Sequence, residues 1–288
     1  MQRLIYTNSH GASATFDSVA PYIFWKIEGV GLPTVTNIKT QTVGQHGYTH
    51  HETLLESREV IVTGHIFGRE GLAAFYSARK TLNAVCNPLS GPGELTYAND
   101  YGVWKTGAVA IEAPYEDRIG NSQTIRIVFE CPSPFWLSYL PSVSRLAYMY
   151  GGLSFPVRTP NRLGLMGYLA IIDNDSDAET PVELMMDGGS LNPAITNLTT
   201  GEFIKLARNV NPGDKLYINT DPEFLEVSII TTDSTTNEQV KYNAYGYITY
   251  DSTLFKLAKG ENRLSFKSDD ENKAVKLAIS FYKRYVGV

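Results

Sequence analysis

Apolar and polar positions alternate with a period of two along most of the chain. Ile125, Ile127, Phe129 and Cys131 are interleaved with Arg126, Val128 and Glu130. Leu225, Val227 and Ile229 are interleaved with Glu226 and Ser228, and Leu277, Ile279 and Phe281 with Lys276, Ala278 and Ser280. That period places each apolar set on one face of a sheet. Turn formers such as Asn211-Pro212-Gly213-Asp214 and Lys259-Gly260-Glu261-Asn262 punctuate the strands, at spacings of roughly 8–12 residues that point to sandwiches. One segment departs from this rhythm. From Glu70 to Cys86 the apolar residues Leu72, Phe75, Ala78, Leu82 and Val85 form a helical stripe. With Gly71 near its start and Asn87-Pro88 after its end, it predicts one principal helix at about 70–86, packed on a sheet.

Two prolines in Cys131-Pro132-Ser133-Pro134-Phe135-Trp136 end a strand, because proline cannot donate to a ladder. This predicts two domains, 1–140 and 141–288. The glycine- and proline-bearing stretch from Pro141 to Asn161 reads as a linker or irregular arm, and a second run of strands follows from about Leu165. The length of 288 residues suits two domains. Eighteen Tyr and 12 Phe against 5 Met reinforce the β assignment.

The net charge of −5 comes without a basic cluster, which argues against nucleic-acid recognition. Cys86 and Cys131 are too few for a disulfide framework and lack metal spacing; they are expected as buried thiols of a protein folded in a reducing cytoplasm. The first residues, Met1 to Asn8, carry no apolar signal core, and no stretch approaches 18 apolar residues, so neither a signal peptide nor a membrane helix is expected.

The candidate chemistry is thin. His46 and His50 have an i, i+4 spacing that suits zinc on a helix, but Gly44 and Gly47 make a helix improbable there. With His51 and Tyr48 they read as a polar hairpin tip, His65 lying further on. Asp173-Asn174-Asp175-Ser176-Asp177 opens like a calcium loop, yet Ala178 and Leu184 stand where glycine and glutamate are needed; it reads as a solvated loop. Asp269-Asp270-Glu271 are adjacent carboxylates that point apart, which does not suit glycoside hydrolysis. There is no GxSxG, Walker A or GxGxxG. Neither a cofactor nor a metal is expected. Trp25, Trp104 and Trp136 could stack on sugars, but scattered tryptophans more often anchor cores and interfaces.

Several motifs in order carry a family resemblance. A glycine-containing hairpin tip, Gly44 to His51, precedes the Arg-containing strand Ser57-Arg58-Glu59-Val60-Ile61-Val62-Thr63-Gly64, then the helix from Glu70. The half closes on Phe129-Glu130-Cys131-Pro132-Ser133-Pro134-Phe135-Trp136, the most specific of these signals. Further on come Asp187-Gly188-Gly189, Asn192-Pro193-Ala194-Ile195, Thr199-Thr200-Gly201-Glu202-Phe203-Ile204, Asn211 to Thr220, and Leu257-Ala258-Lys259-Gly260-Glu261-Asn262-Arg263-Leu264. In this order the chain resembles the distal tail (Dit) proteins of long-tailed phages of Gram-positive bacteria. Ser176-Asp177 replaces a common glycine-aspartate pair, and the 137–161 stretch is longer than a minimal linker.

The resemblance implies a mainly β protein: an N-terminal β-sandwich or split-barrel domain with the one helix, and a galectin-like C-terminal β-sandwich. It implies a virion protein of the tail tip or baseplate, assembled in the host cytoplasm and not an enzyme. A hexameric ring would join the tail tube to the central hub, with receptor-binding proteins as further partners. Ring interfaces are heterologous and close by rotation, and sheet edges are natural joining surfaces. On that logic the expected ring contacts are Gln45, His46 and Tyr48 at the hairpin tip, Arg58, Val60 and Val62 on the following strand (Arg58 as an ion-pair partner), and Phe24 with Trp25. The alternative is a carbohydrate-binding receptor-recognition module. Its C-terminal half would stack sugars on Tyr and Phe alone, having no Trp after residue 136.

Overall fold

A computed structural model describes residues 2–149, 167–232, 238–270 and 275–288. The chain divides into two compact units, residues 1–139 with 285–288, and residues 140–284. The expected domain 1–140 thus also receives the last four residues, which return to it.

The first unit contains β1 (Arg3–Thr7), β2 (Ser13–Phe16), β3 (Tyr22–Glu28), β4 (Val35–Thr40), β5 (Thr49–Leu55), β6 (Arg58–Phe67), α1 (Leu72–Val85), β7 (Gly93–Asn99), β8 (Gly102–Glu112), β9 (Tyr115–Ile119), β10 (Ser122–Cys131) and β11 (Trp136–Ser138). Seven strands form one antiparallel path, β2-β1-β7-β8-β10-β6-β3. Its two ends approach each other. The Asp17 N–H donates to the Tyr22 carbonyl, the Phe24 N–H donates to the Asp17 carbonyl, and Asp17 bridges Ile23. The sheet is therefore nearly closed, a split barrel. Inside it lie Leu4, Tyr6, Phe16, Val60, Val62, Leu95, Ile125, Ile127, Phe129 and Trp136, the inward positions of period-two strands.

The helix forms where the stripe predicts, over Leu72–Val85, and buries Phe75, Leu82 and Val85. Tyr22 fixes it by donating to the Ala78 carbonyl at 2.8 Å. Leu72, counted in the stripe, is exposed, because the apolar face begins one turn later, at Phe75.

The second unit contains β12 (Ser142–Met149), β13 (Gly167–Asn174), β14 (Thr180–Pro181), β15 (Glu183–Asp187), β16 (Ser190–Leu191), β17 (Ala194–Asn197), β18 (Phe203–Lys205), β19 (Asn209–Val210), β20 (Lys215–Asn219), β21 (Glu226–Thr232), β22 (Gln239–Asn243), β23 (Lys256–Leu257), β24 (Gly260–Lys267) and β25 (Lys276–Phe281). The part of the expected linker at 142–149 is thus a strand, and 150–161 lies outside the described residues. β12 serves two sheets. Ser142 to Leu146 pair with β25, while Ala147 to Met149 pair with β13. One layer runs β18-β17-β24-β13 and the other β25-β15-β20-β21-β22. Ile195, Ile204, Leu264, Ala170 and Ile172 of the first layer share one core with Leu184, Met186, Leu216, Ile218, Val227, Leu277 and Ile279 of the second. That is a β-sandwich.

The Asp173–Asp177 segment is not the solvated loop expected. Asn174 and Ser176 are fully buried. Asn174 Nδ2 donates to the carbonyls of Ala178, Leu257 and Ala258, while its Oδ1 accepts from Ser176. A corner between strands leaves carbonyls without ladder partners, and the buried amide satisfies them. Asp269 and Asp270 accept from the Asn192 side chain and the Leu191 N–H, so they brace a loop; Glu271 lies outside the described residues.

Candidate functional site

Residues 29–60 of the first unit hold the candidate site, an exposed two-stranded ribbon and its root. Among the described residues β4 and β5 pair only with each other, with Val35 opposite Leu55 and Thr40 opposite Thr49. Every residue of β4 is exposed, and every residue of β5 except Leu55. Val35, Ile38 and Leu54 lie open to water beside Leu32 and Val43. An isolated two-stranded ribbon is marginal at best in water, and a run of exposed aliphatics marks an interaction surface.

The tip is nevertheless built in detail. Gly44 and Gly47 adopt positive φ, the conformation that favours glycine. Gln45 Oε1 accepts from the Thr42 N–H at 3.0 Å, its Nε2 donates to Thr49 at 3.3 Å, and Gln41 donates to its carbonyl. Lys39 Nζ lies 4.7 Å from the centre of the Tyr48 ring. His51 bonds Thr40, and His50 bonds Thr53, which donates to Asn37. These cross-strand pairs set the register of a ribbon that has no core of its own. Among the described residues no three His, Cys, Asp or Glu side chains come together.

The base of the ribbon is clamped by Arg58, and here the sequence expectation needs correcting. Arg58 is 2% exposed and faces the interior. Nη1 donates to the carbonyls of Gly29 and Gly31, Nε and Nη2 to that of Pro134, and Nη2 also to that of Val286. The guanidinium stacks on Trp136 with its carbon 5.6 Å from the ring centre. Burial pushes its pKa down, but carbonyl dipoles, not a carboxylate, satisfy the charge. Val60 and Val62 are likewise wholly buried. All three side chains face the interior of their own unit. The reason is visible in the period: Arg58 shares its face with Val60, Val62 and Ile66, so the alternation of β6 turns all four inward.

The packing around the clamp is close. Gly29 has φ +83°, and a Cβ there would stand 1.8 Å from the Glu59 carbonyl oxygen. The Val288 N–H donates to the Val30 carbonyl. Hairpin base, β6, the proline junction and the last residues of the chain thus meet at one guanidinium.

The other expected contacts divide. Trp25 is 52% exposed on β3, its ring 4.3 Å from that of His65. Phe24 is half-buried and packs on the barrel core. Gln45 is half-buried and His46 exposed at the tip, and Tyr48 is exposed at its foot. Trp104 stacks on Tyr97, and Trp136 is buried. The sequence reading missed the aliphatics of the ribbon arms. The alternating Val35, Asn37 and Thr36, Ile38 offered the signal of a strand with apolar residues on both faces.

Comparison with known proteins now gives the class. Residues 9–131 match the model of the phage tail protein RIFT-related domain, and residues 175–285 match that of the siphovirus-type tail component, C-terminal domain. The structure is similar over 99% of this chain to the Dit protein of phage SPP1, described as a paradigm of the hub adsorption apparatus in Gram-positive-infecting phages (TM-score 0.69, 11% identity, 99% of that chain). It is also similar over its whole length to a chain of the phage P2 baseplate in its activated conformation with calcium (TM-score 0.58, 14% identity, 99% of that chain). No curated protein matches it in sequence. The chain belongs to the distal tail (Dit) family of siphovirus-type tail proteins, and is a component of the phage tail.

Proposed function

We propose that this chain assembles into a hexameric ring that connects the tail tube to the central hub protein of the tail tip. The N-terminal split barrels form the ring. The C-terminal units, galectin-like sandwiches on this reading, project outward, where receptor-binding proteins attach. The protein is built in the host cytoplasm and has no catalytic role.

The observation that carries the reading is the β4–β5 ribbon, which buries neither of its faces within its own unit. A neighbour's barrel wall supplies what it lacks. Gln45, His46 and Tyr48 at the tip, and Trp25 with Phe24 on β3, are the contacts nearest to such a wall. The interface is heterologous: the ribbon of one subunit meets a different surface of the next, and rotation closes the ring.

The test is cryo-electron microscopy of the purified chain mixed with its tail-tube protein. A closed ring with each ribbon lying on the adjacent subunit is expected. A monomeric chain with a free ribbon in the same mixture would overturn the reading.

A further inference from the structure

In the C-terminal sandwich, β19, the turn at 211–214 and the β21–β22 edge enclose a depression of about 150 Å³. Its polar wall is Asn209, Asn211 and Asp214, and across from it stand Tyr242 and Asn243. Three features make this wall more than a polar surface.

First, its side chains hold one another. Asn209 Nδ2 donates to Asn211 Oδ1 at 3.2 Å, and Asn211 Nδ2 donates to Asp214 Oδ2 at 3.2 Å. A relay of this kind fixes the orientation of each amide and polarises it. Each Asn carries two donor hydrogens and an acceptor oxygen with two lone pairs, so these two bonds leave donor and acceptor capacity on both amides.

Second, the wall rests on a rigid base. Asp214 is buried, and its N–H donates to the Asn211 carbonyl across the tight turn. Asn243 bounds the depression from β22, with its Oδ1 accepting from the Tyr245 N–H.

Third, the opposite side is aromatic and open. Tyr242 is 56% exposed. An exposed ring on an edge strand beside planar amides presents a flat apolar face next to fixed donors and acceptors. The charges are balanced. The wall holds the Asp214 carboxylate and the depression also reaches Arg208, whose guanidinium lies flat over the Tyr247 ring at 4.3 Å.

We propose that this depression binds one pyranose unit of a neutral glycan. A pyranose has an apolar C–H face that packs on an aromatic ring and hydroxyls that both donate and accept. The mixed amide relay answers such hydroxyls, whereas an anion would need unpaired cations and a metal would need several carboxylates. One sugar in a shallow site supports millimolar affinity, which becomes useful when several copies engage a polymer at once. The site lies wholly within the second unit and stands whether or not the chain forms a ring.

The test is saturation-transfer NMR on the full chain. The probes are the methyl glycosides of glucose, galactose, rhamnose and N-acetylglucosamine. At least one is expected to give a saturable signal in the millimolar range. Tyr242→Ala is expected to weaken it roughly tenfold, the upper end of an aromatic contact. Asn209→Ala should also weaken it, and Tyr101→Ala on the first unit should not. Thermal melts of each variant show that it is folded. No saturable signal from any of the four glycosides would overturn the proposal, as would binding that both Tyr242→Ala and Asn209→Ala leave intact.

Discussion

Arg58 donates through Nη2 to the carbonyl of Val286, a residue 228 positions further along the chain. The same guanidinium holds Gly29, Gly31 and Pro134. One buried cation therefore joins the root of the exposed ribbon, the junction after β10 and the returning end of the chain. Removing it takes away the donors that these carbonyls accept from. Arg58→Met is expected to cost about 3–5 kcal/mol of unfolding free energy, the range for breaking a buried charged network. Arg58→Lys should cost less, since it keeps the charge but offers three donors from a point, without the planar fork. Urea denaturation followed by far-UV circular dichroism measures both; a loss under about 0.5 kcal/mol for Arg58→Met, the range of ordinary surface changes, would show that the clamp does not hold this region.

The glycine at the ribbon's root makes a sharper contrast with those at its tip. At Gly29 an added Cβ meets a backbone oxygen at 1.8 Å, while at Gly44 and Gly47 it meets nothing within 4 Å. Gly29→Ala has to displace β6 or the root and should cost about 3 kcal/mol or more, combining left-handed strain with a backbone clash. Gly44→Ala and Gly47→Ala should each cost about 1–2 kcal/mol of local strain at most. Comparing the three melting curves decides the matter, and equal effects at all three positions would contradict the geometry.

Because Ile38 and Leu54 on the ribbon arms are exposed in the monomer, substitutions there should separate stability from assembly. Ile38→Ser and Leu54→Ser are expected to change monomer stability by no more than about 0.5 kcal/mol while reducing ring formation. Hydrogen exchange offers an independent view: ribbon amides should exchange rapidly in the monomer and gain protection in the assembled tail tip. Protection already present in the monomer would mean that the ribbon is covered by its own subunit.

Cys86 and Cys131 are buried free thiols, and burial pushes both pKa values up to about 12. The folded state favours the neutral thiol, so this contribution to stability is complete below the ordinary thiol value of 9.0 and is lost progressively as pH rises toward about 12. Melting temperature should therefore begin to fall above about pH 9. Native protein should resist maleimide at pH 8, and unfolding in urea should expose both thiols. Rapid labelling of the native protein would contradict their burial.

Much of the fold was legible because period two is a strong signal. The inward set Ile125, Ile127, Phe129 and Cys131 is buried as written, and the stripe from Phe75 to Val85 locates the helix. The interface was only half legible. An arginine amid valines suggests a surface charge, and only its phase in β6 shows that it faces inward to Gly29, Gly31, Pro134 and Val286. Those four carbonyls come from three segments far apart in sequence, and no local pattern records their convergence. Asn174 and Ser176 misled for a related reason: their composition reads as loop, yet Asn174 satisfies the carbonyls of Leu257 and Ala258 from a distant turn, and Ser176 donates to Asn174. The Asn211–Asp214 turn was visible in the sequence, but its bond to Asn209 and its place beside Tyr242 are made only by the fold.

The central claim is that the chain closes into a ring through the ribbon, and mass photometry of the full chain with its tail-tube protein, with and without Leu54→Ser, tests it most directly. The account predicts a species containing six copies of the 31.9 kDa chain that the substitution depletes while the protomer stays folded. Protomers that remain single in the mixture, or a ring equally abundant with Leu54→Ser, would contradict it.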